Sequence, residues 1–147
     1  MKIKNIVLTL ILVTGSTGIF ANGNEVINRH AVTSLQREFA NAENIQWTEA
    51  GPLTKATFSH NGEVLFAYYS ENGERVALGR NIRPNQLPIN LLSTIKTSYK
   101  QSWITDAFEV TKDNETAYYV TIENADKHII LKSVSLDEWM IFKTTYK

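Results

Sequence analysis

Two Asn-Gly pairs, Asn61-Gly62 and Asn72-Gly73, lie in one short stretch between Leu53 and Ile82. Each is flanked by runs of Val, Phe, Tyr, Ala and Thr. A two-residue type I′ loop needs positive φ at both central positions, which Asn and Gly tolerate best, so the pairs predict two β-hairpins sharing a strand. The register of this meander follows from its loops. Around Asn61-Gly62, His60 faces Glu63, Phe58 faces Leu65 and Ala56 faces Ala67. Around Asn72-Gly73, Tyr69 faces Val76 and Ala67 faces Leu78. Alternation along strands then gathers Ala56, Phe58, Leu65, Ala67, Tyr69, Val76 and Leu78 on one apolar face, the expected core side. Lys55, Thr57, Ser59, Val64, Phe66, Tyr68, Ala77 and Gly79 take the other.

Around the meander, apolar spacing places two helices. Ile27, Ala31, Leu35 and Phe39 recur every four residues, and Asn28 is a suitable N-cap for a helix ending near Ala40. Ile45 to Thr48 reads as a short strand broken by Gly51-Pro52. After the Arg83–Gln86 linker, Pro88 opens a second helix with the stripe Leu91, Leu92, Ile95 and Tyr99. Four more strands follow: Ile104 to Thr111, Ala117 to Glu123, His128 to Val134 and Trp139 to Thr145.

Helix plus four strands thus occurs twice, in half-repeats of about 27–83 and 87–147. A shift of 64 lays Leu65–Ser70 on Ile129–Val134 and Phe58 on Ile122. The expected class is α+β, with two helix-plus-four-strand repeats forming one antiparallel sheet and both helices on one face. The same shift assigns Val120, Ile122, Ile129, Leu131, Met140 and Phe142 to the core. It assigns Tyr119, His128, Ile130, Lys132, Trp139 and Ile141 to the helix-free side, beside Phe66 and Tyr68. Left bare, those rings would expose more apolar area than a lone domain usually shows.

The first 21 residues read as an export signal: Lys2 and Lys4, the apolar Ile6 to Val13, then small residues up to Ala21. The apolar run is too short to span a membrane, which takes about 20 residues. Residues 22–147 are the expected single domain, periplasmic or secreted. Of 15 basic side chains, removal of Lys2 and Lys4 leaves 13 against 15 acidic ones, a net charge of −2. That balance excludes nucleic acid as the expected partner, since phosphate binding relies on clustered cations. The chain has no cysteine, so its core holds the fold without disulfides.

Phe39-Ala40-Asn41-Ala42-Glu43-Asn44-Ile45-Gln46-Trp47, the Ala67-Tyr68-Tyr69 strand with its Asn-Gly turn, and Leu87-Pro88 at the second helix resemble the bacterial PepSY-like domains. The resemblance runs from about Leu35 to Lys143. The chain departs from that family at the last turn, with Asp137-Glu138 where many members have Asp-Gly. The resemblance implies a fold related to the β-lactamase inhibitor protein and an exported, non-catalytic module. That inhibitor binds its target through an aromatic-bearing sheet surface.

Reactive groups are sparse. No Gly-x-Ser-x-Gly elbow is present, and Ser59 beside His60 belongs to a hairpin edge. His30, His60 and His128 lack the close spacing of a zinc site. Asp113, Glu115 and Asp126 lack the alternating oxygens and central Gly of a calcium loop. No Gly-rich phosphate cradle appears, so neither cofactor nor metal is expected, and no catalytic residue is assigned. The expectation is a non-enzymatic module recognising a protein through Phe66, Tyr68, Tyr119, Ile130, Lys132 and Trp139, because Tyr and Trp dominate binding hot spots. Two alternatives use the same face: a small-ligand carrier for sugar or peptide, marked by a deep pocket beside Arg80 or Lys132, and a homodimer packed face to face.

Overall fold

A computed structural model describes residues 27–147. The expected export signal lies outside the described residues. The elements are α1 (Arg29–Glu38), β1 (Glu43–Ala50), β2 (Leu53–His60), β3 (Glu63–Tyr69) and β4 (Arg75–Asn81), then a 3₁₀ turn at Pro84–Gln86. α2 (Ile89–Ser98), β5 (Trp103–Lys112), β6 (Glu115–Glu123), β7 (Lys127–Ser133) and β8 (Met140–Tyr146) complete the chain. The eight strands form one antiparallel meander in sequence order. No described helix is long and apolar enough to cross a membrane.

The first hairpin has the expected register, with His60 opposite Glu63, Phe58 opposite Leu65 and Ala56 opposite Ala67. Asn61 (φ 50°) and Gly62 (φ 80°) both take the left-handed conformation that this loop requires. The second turn differs. Ala67 does face Leu78, but Tyr69 faces Arg75 rather than Val76, across a register shift after Tyr68. Here only Gly73 is left-handed (φ 80°), and its N–H donates to the Ser70 carbonyl at 2.9 Å. The cause is tertiary. α1 sits on this turn so closely that a Cβ on Gly73 would stand 2.7 Å from the His30 backbone.

Two apolar clusters lie between the helices and the sheet. Under α1, Ala31 and Leu35 meet Ala56, Phe58, Ala67 and Tyr69, with Phe39 and Trp47 at the margin. Under α2, Leu87 and Ile95 meet Ala107, Val120, Ile122, Ile129 and Leu131. Strand pairing carries one face through both clusters, since Ala67 faces Leu78, Leu78 faces Thr111, and Ala107 faces Val120. Both helices therefore cover the same side.

The last strand departs from the sequence reading. β8 begins at Met140 rather than Trp139, and an extra residue enters opposite the Ile130/Leu131 step. As a result Phe142, expected in the core under the helices, packs on the helix-free side. Met140, also expected in the core, faces Lys132 and is exposed, whereas Ile141 faces Leu131 instead of lying beside Ile130. A six-residue loop, 134–139, stands where the 64-residue shift implied a tight turn. The bulge then reverses the side-chain phase.

Candidate functional site

The helix-free side carries a third apolar cluster made of Phe66, Tyr68, Ala77, Phe108, Val110, Tyr119 and Ile130. Ala50, Leu53, Ala117 and Phe142 border it. Period-two alternation puts these side chains here, and the antiparallel pairing brings the rings together. Phe66 meets Phe108 edge-on at 5.5 Å between centroids, and Phe108 stacks on Tyr119 at 4.9 Å. Tyr119 meets Phe142 edge-on at 5.8 Å, and Phe66 meets Tyr68 at 6.1 Å. These spacings are those of favourable aromatic pairs. Gly79 makes the slot for Phe66, because a Cβ there would overlap its ring.

Two lysines lie over these rings. The Lys55 ammonium is 5.0 Å from the Phe66 centroid and 5.8 Å from that of Tyr68. The Lys132 ammonium is 5.5 Å from Tyr119 and 6.0 Å from Phe142. Such cations are held by the ring quadrupole while their stems cover apolar surface. Partial burial pulls the Lys55 ammonium below the usual lysine range, with Asp106 opposing the shift. Burial, and next the neighbouring Tyr119, pushes the Tyr68 hydroxyl up to about 12.

Of the six residues expected to form a binding face, five share this cluster or its cover: Phe66, Tyr68, Tyr119, Ile130 and Lys132. The rings are not bare, however. Phe66 is 6% exposed, Tyr68 and Tyr119 3% each, and Ile130 6%, so the accessible part of the site is its lysine-bearing cover rather than the ring faces. Trp139 is not here at all. It lies on the opposite side among the α2 contacts, where its Nε1–H donates to the Leu91 carbonyl at 2.9 Å. Sequence reading missed Phe108. Its signal was available in Asp113-Asn114, which forms a second left-handed pair (φ 50° and 65°) and sets Phe108 opposite Tyr119.

Other chemistry is scattered. Ser59 faces Val64 on the helix-free side, while the adjacent His60 turns its ring edge-on to Phe39 at 5.4 Å, so the two diverge. Among the described residues no three His, Asp or Glu groups gather as metal ligands. Arg80 is tied to Glu109 at 2.6 Å and Glu63 at 3.2 Å. A cleft of about 450 Å³ does occur, but beside α2, lined by Leu92, Lys96, Tyr99 and Ile104 among others. It adjoins neither Arg80 nor Lys132, the residues that would have marked a carrier pocket.

No family model and no curated protein matches the chain. Solved structures do. A BLIP-like protein from Bacteroides fragilis superposes with a TM-score of 0.63 at 19% identity, covering 88% of this chain and 89% of that one. The fold is BLIP-like. A protein from Bacteroides eggerthii, assigned provisionally to the periplasm, gives 0.69 at 10% identity over 80% of this chain and 87% of its own. A DUF2874 family protein from Bacteroides uniformis gives 0.69 at 12% identity over 80% and 88%. At such identities the BLIP-like relation is one of architecture, and function rests on the residues present.

Proposed function

We propose that this chain is an exported, non-enzymatic module that recognises another protein through the helix-free side of its sheet. The observation that supports this is the aromatic cluster with Lys55 and Lys132 laid across it. A cluster on that side, in addition to the two cores under the helices, stiffens the sheet from both faces. It also holds two ammonium groups on fixed rings, a rigid polar cover over an apolar floor. Interfaces draw affinity from such fixed rings and specificity from the charges around them. Residues 1–21 are the export signal in this reading, and the two helix-plus-four-strand halves are copies of one unit. The PepSY-like resemblance belongs to the same proposal, as does placement in the periplasm or outside the cell.

The test uses Lys55→Glu with Lys132→Glu, because the rings beneath are too buried to replace without loss of fold. Pull-down from envelope extract should lose its partner with this variant, while the thermal midpoint moves by less than about 4 °C. Capture equal to that of the unaltered protein would remove the proposal.

A further inference from the structure

The dipeptide Asn-Gly is chemically labile, and the fold surrounds its copies at Asn61-Gly62 and Asn72-Gly73 differently. With no side chain in the way, a glycine amide nitrogen can reach the carboxamide carbon of the asparagine before it. Whether it does so depends on how freely the peptide between them turns. A third pair, Asn22-Gly23, lies outside the described residues.

The β2–β3 turn leaves that motion free. Asn61 and Gly62 are both exposed, and a Cβ on Gly62 would meet nothing within 4 Å. Among the described residues the Gly62 N–H has no hydrogen-bond partner, because a two-residue loop leaves this group to solvent. At the β3–β4 turn the same dipeptide is tied down. Gly73 is buried, its N–H donates to the Ser70 carbonyl at 2.9 Å, and its carbonyl accepts from the Ser34 hydroxyl at 2.6 Å. The Asn28 amide holds the Ser70 and Glu71 carbonyls, and the His30 backbone stands over Gly73. Swinging the Asn72–Gly73 peptide would break the bond to Ser70 and push α1 off its seat. A hydrogen-bonded N–H also gives up its proton less readily.

We infer that Asn61 is a site of spontaneous modification, converting to aspartate and isoaspartate, and that α1 shields Asn72 from the same reaction. The Gly62 amide nitrogen, having lost its proton to solvent base, attacks Asn61 Cγ and forms a C–N bond. The bond from Cγ to the side-chain nitrogen breaks, and that nitrogen takes a proton from water and leaves as ammonia. Water then opens the resulting succinimide ring. Attack at the side-chain carbonyl gives aspartate, and attack at the main-chain carbonyl gives isoaspartate. Water enters and ammonia departs, so the conversion needs no oxidant or reductant. Either product adds a carboxylate near Glu63, which already pairs with Arg80 at 3.2 Å. Isoaspartate also carries the main chain through the former side chain, and the lengthened loop loses its type I′ geometry.

The test incubates the folded protein at mildly alkaline pH and follows each site by mass spectrometry. Cleavage after glutamate puts the sites on separate peptides, since Glu63 and Glu71 lie between Asn61 and Asn72, and Glu25 sets Asn22 apart. Asn61 should convert at least about tenfold faster than Asn72. In denaturant the two rates should come within about threefold of each other, because packing alone separates them. Asn28→Ala removes two ties on the second turn, so it should speed conversion at Asn72 and leave Asn61 unchanged. An Asn72 that keeps pace with Asn61 in the folded protein would overturn the inference. So would an Asn61 that stays intact until the chain unfolds, or an Asn72 rate indifferent to Asn28→Ala.

Discussion

α1 and α2 are both ten residues long and lie on the same side of the sheet, yet they are fastened by different chemistry. α1 is clamped at its start. The Asn28 carboxamide oxygen accepts from the His30 and Ala31 N–H groups at 3.0 and 3.2 Å. Its amide nitrogen donates to the Ser70 and Glu71 carbonyls at 3.0 and 3.1 Å. Ser34 adds a bond to the Gly73 carbonyl at 2.6 Å. One side chain thus caps the helix and ties it to the β3–β4 turn. α2 begins at Pro88 with no side-chain cap. It is held from outside by two residues of the β7–β8 loop: the Trp139 indole N–H donates to the Leu91 carbonyl, and the Asp137 carboxylate accepts from the Asn90 side chain at 3.0 Å. A short turn with glycine lets a helix backbone rest directly on it. A longer loop must reach back with a side chain.

This contrast predicts unequal sensitivity. Gly73→Ala should cost about 3 kcal/mol, because left-handed strain adds to overlap with the His30 backbone. Gly62→Ala, with equal φ but open space around it, should cost only about 1 kcal/mol. Chemical denaturation of the two variants measures the difference, and equal losses would break the argument that α1 presses on the second turn. Asn28→Ala should cost about 2 kcal/mol, since it removes the cap and two carbonyl partners together. Trp139→Phe keeps much of the ring contact and loses one hydrogen bond, so about 1 kcal/mol is expected by the same measurement.

The smallest effect concerns two adjacent tyrosines on opposite faces. Tyr69, under α1, has its hydroxyl pushed up to about 12, by burial first and then by Glu38, with Arg75 opposing. Tyr68 on the helix-free side rises to about 12 through burial, then Tyr119. A raised tyrosine pKa means the fold favours the neutral hydroxyl. That contribution is complete below pH 10 and is lost as pH climbs toward 12. Among the described residues the buried Tyr69 hydroxyl has no hydrogen-bond partner, so Tyr69→Phe should leave neutral-pH stability unchanged or raise it by up to about 1 kcal/mol. Alkaline unfolding of this variant should lie at higher pH. Loss of stability at neutral pH would show instead that the hydroxyl is paired.

Local signals in the sequence settled much of the helix and strand pattern. Asn61-Gly62 fixed the register of the first hairpin because a two-residue loop leaves one way to pair, and Asn28 marked the start of α1 because its side chain satisfies backbone donors two and three residues on. Alternation was enough to send Phe66, Tyr68, Tyr119 and Ile130 to one side. The tertiary structure decided what alternation cannot reach: the second turn, reshaped where α1 touches Gly73, and the phase of β8, reversed by a bulge that no residue type announces. It also decided that Trp139 turns to α2 and that the rings of the helix-free side are buried. Exposure is a property of neighbours distant in the chain, and only packing brings those neighbours together.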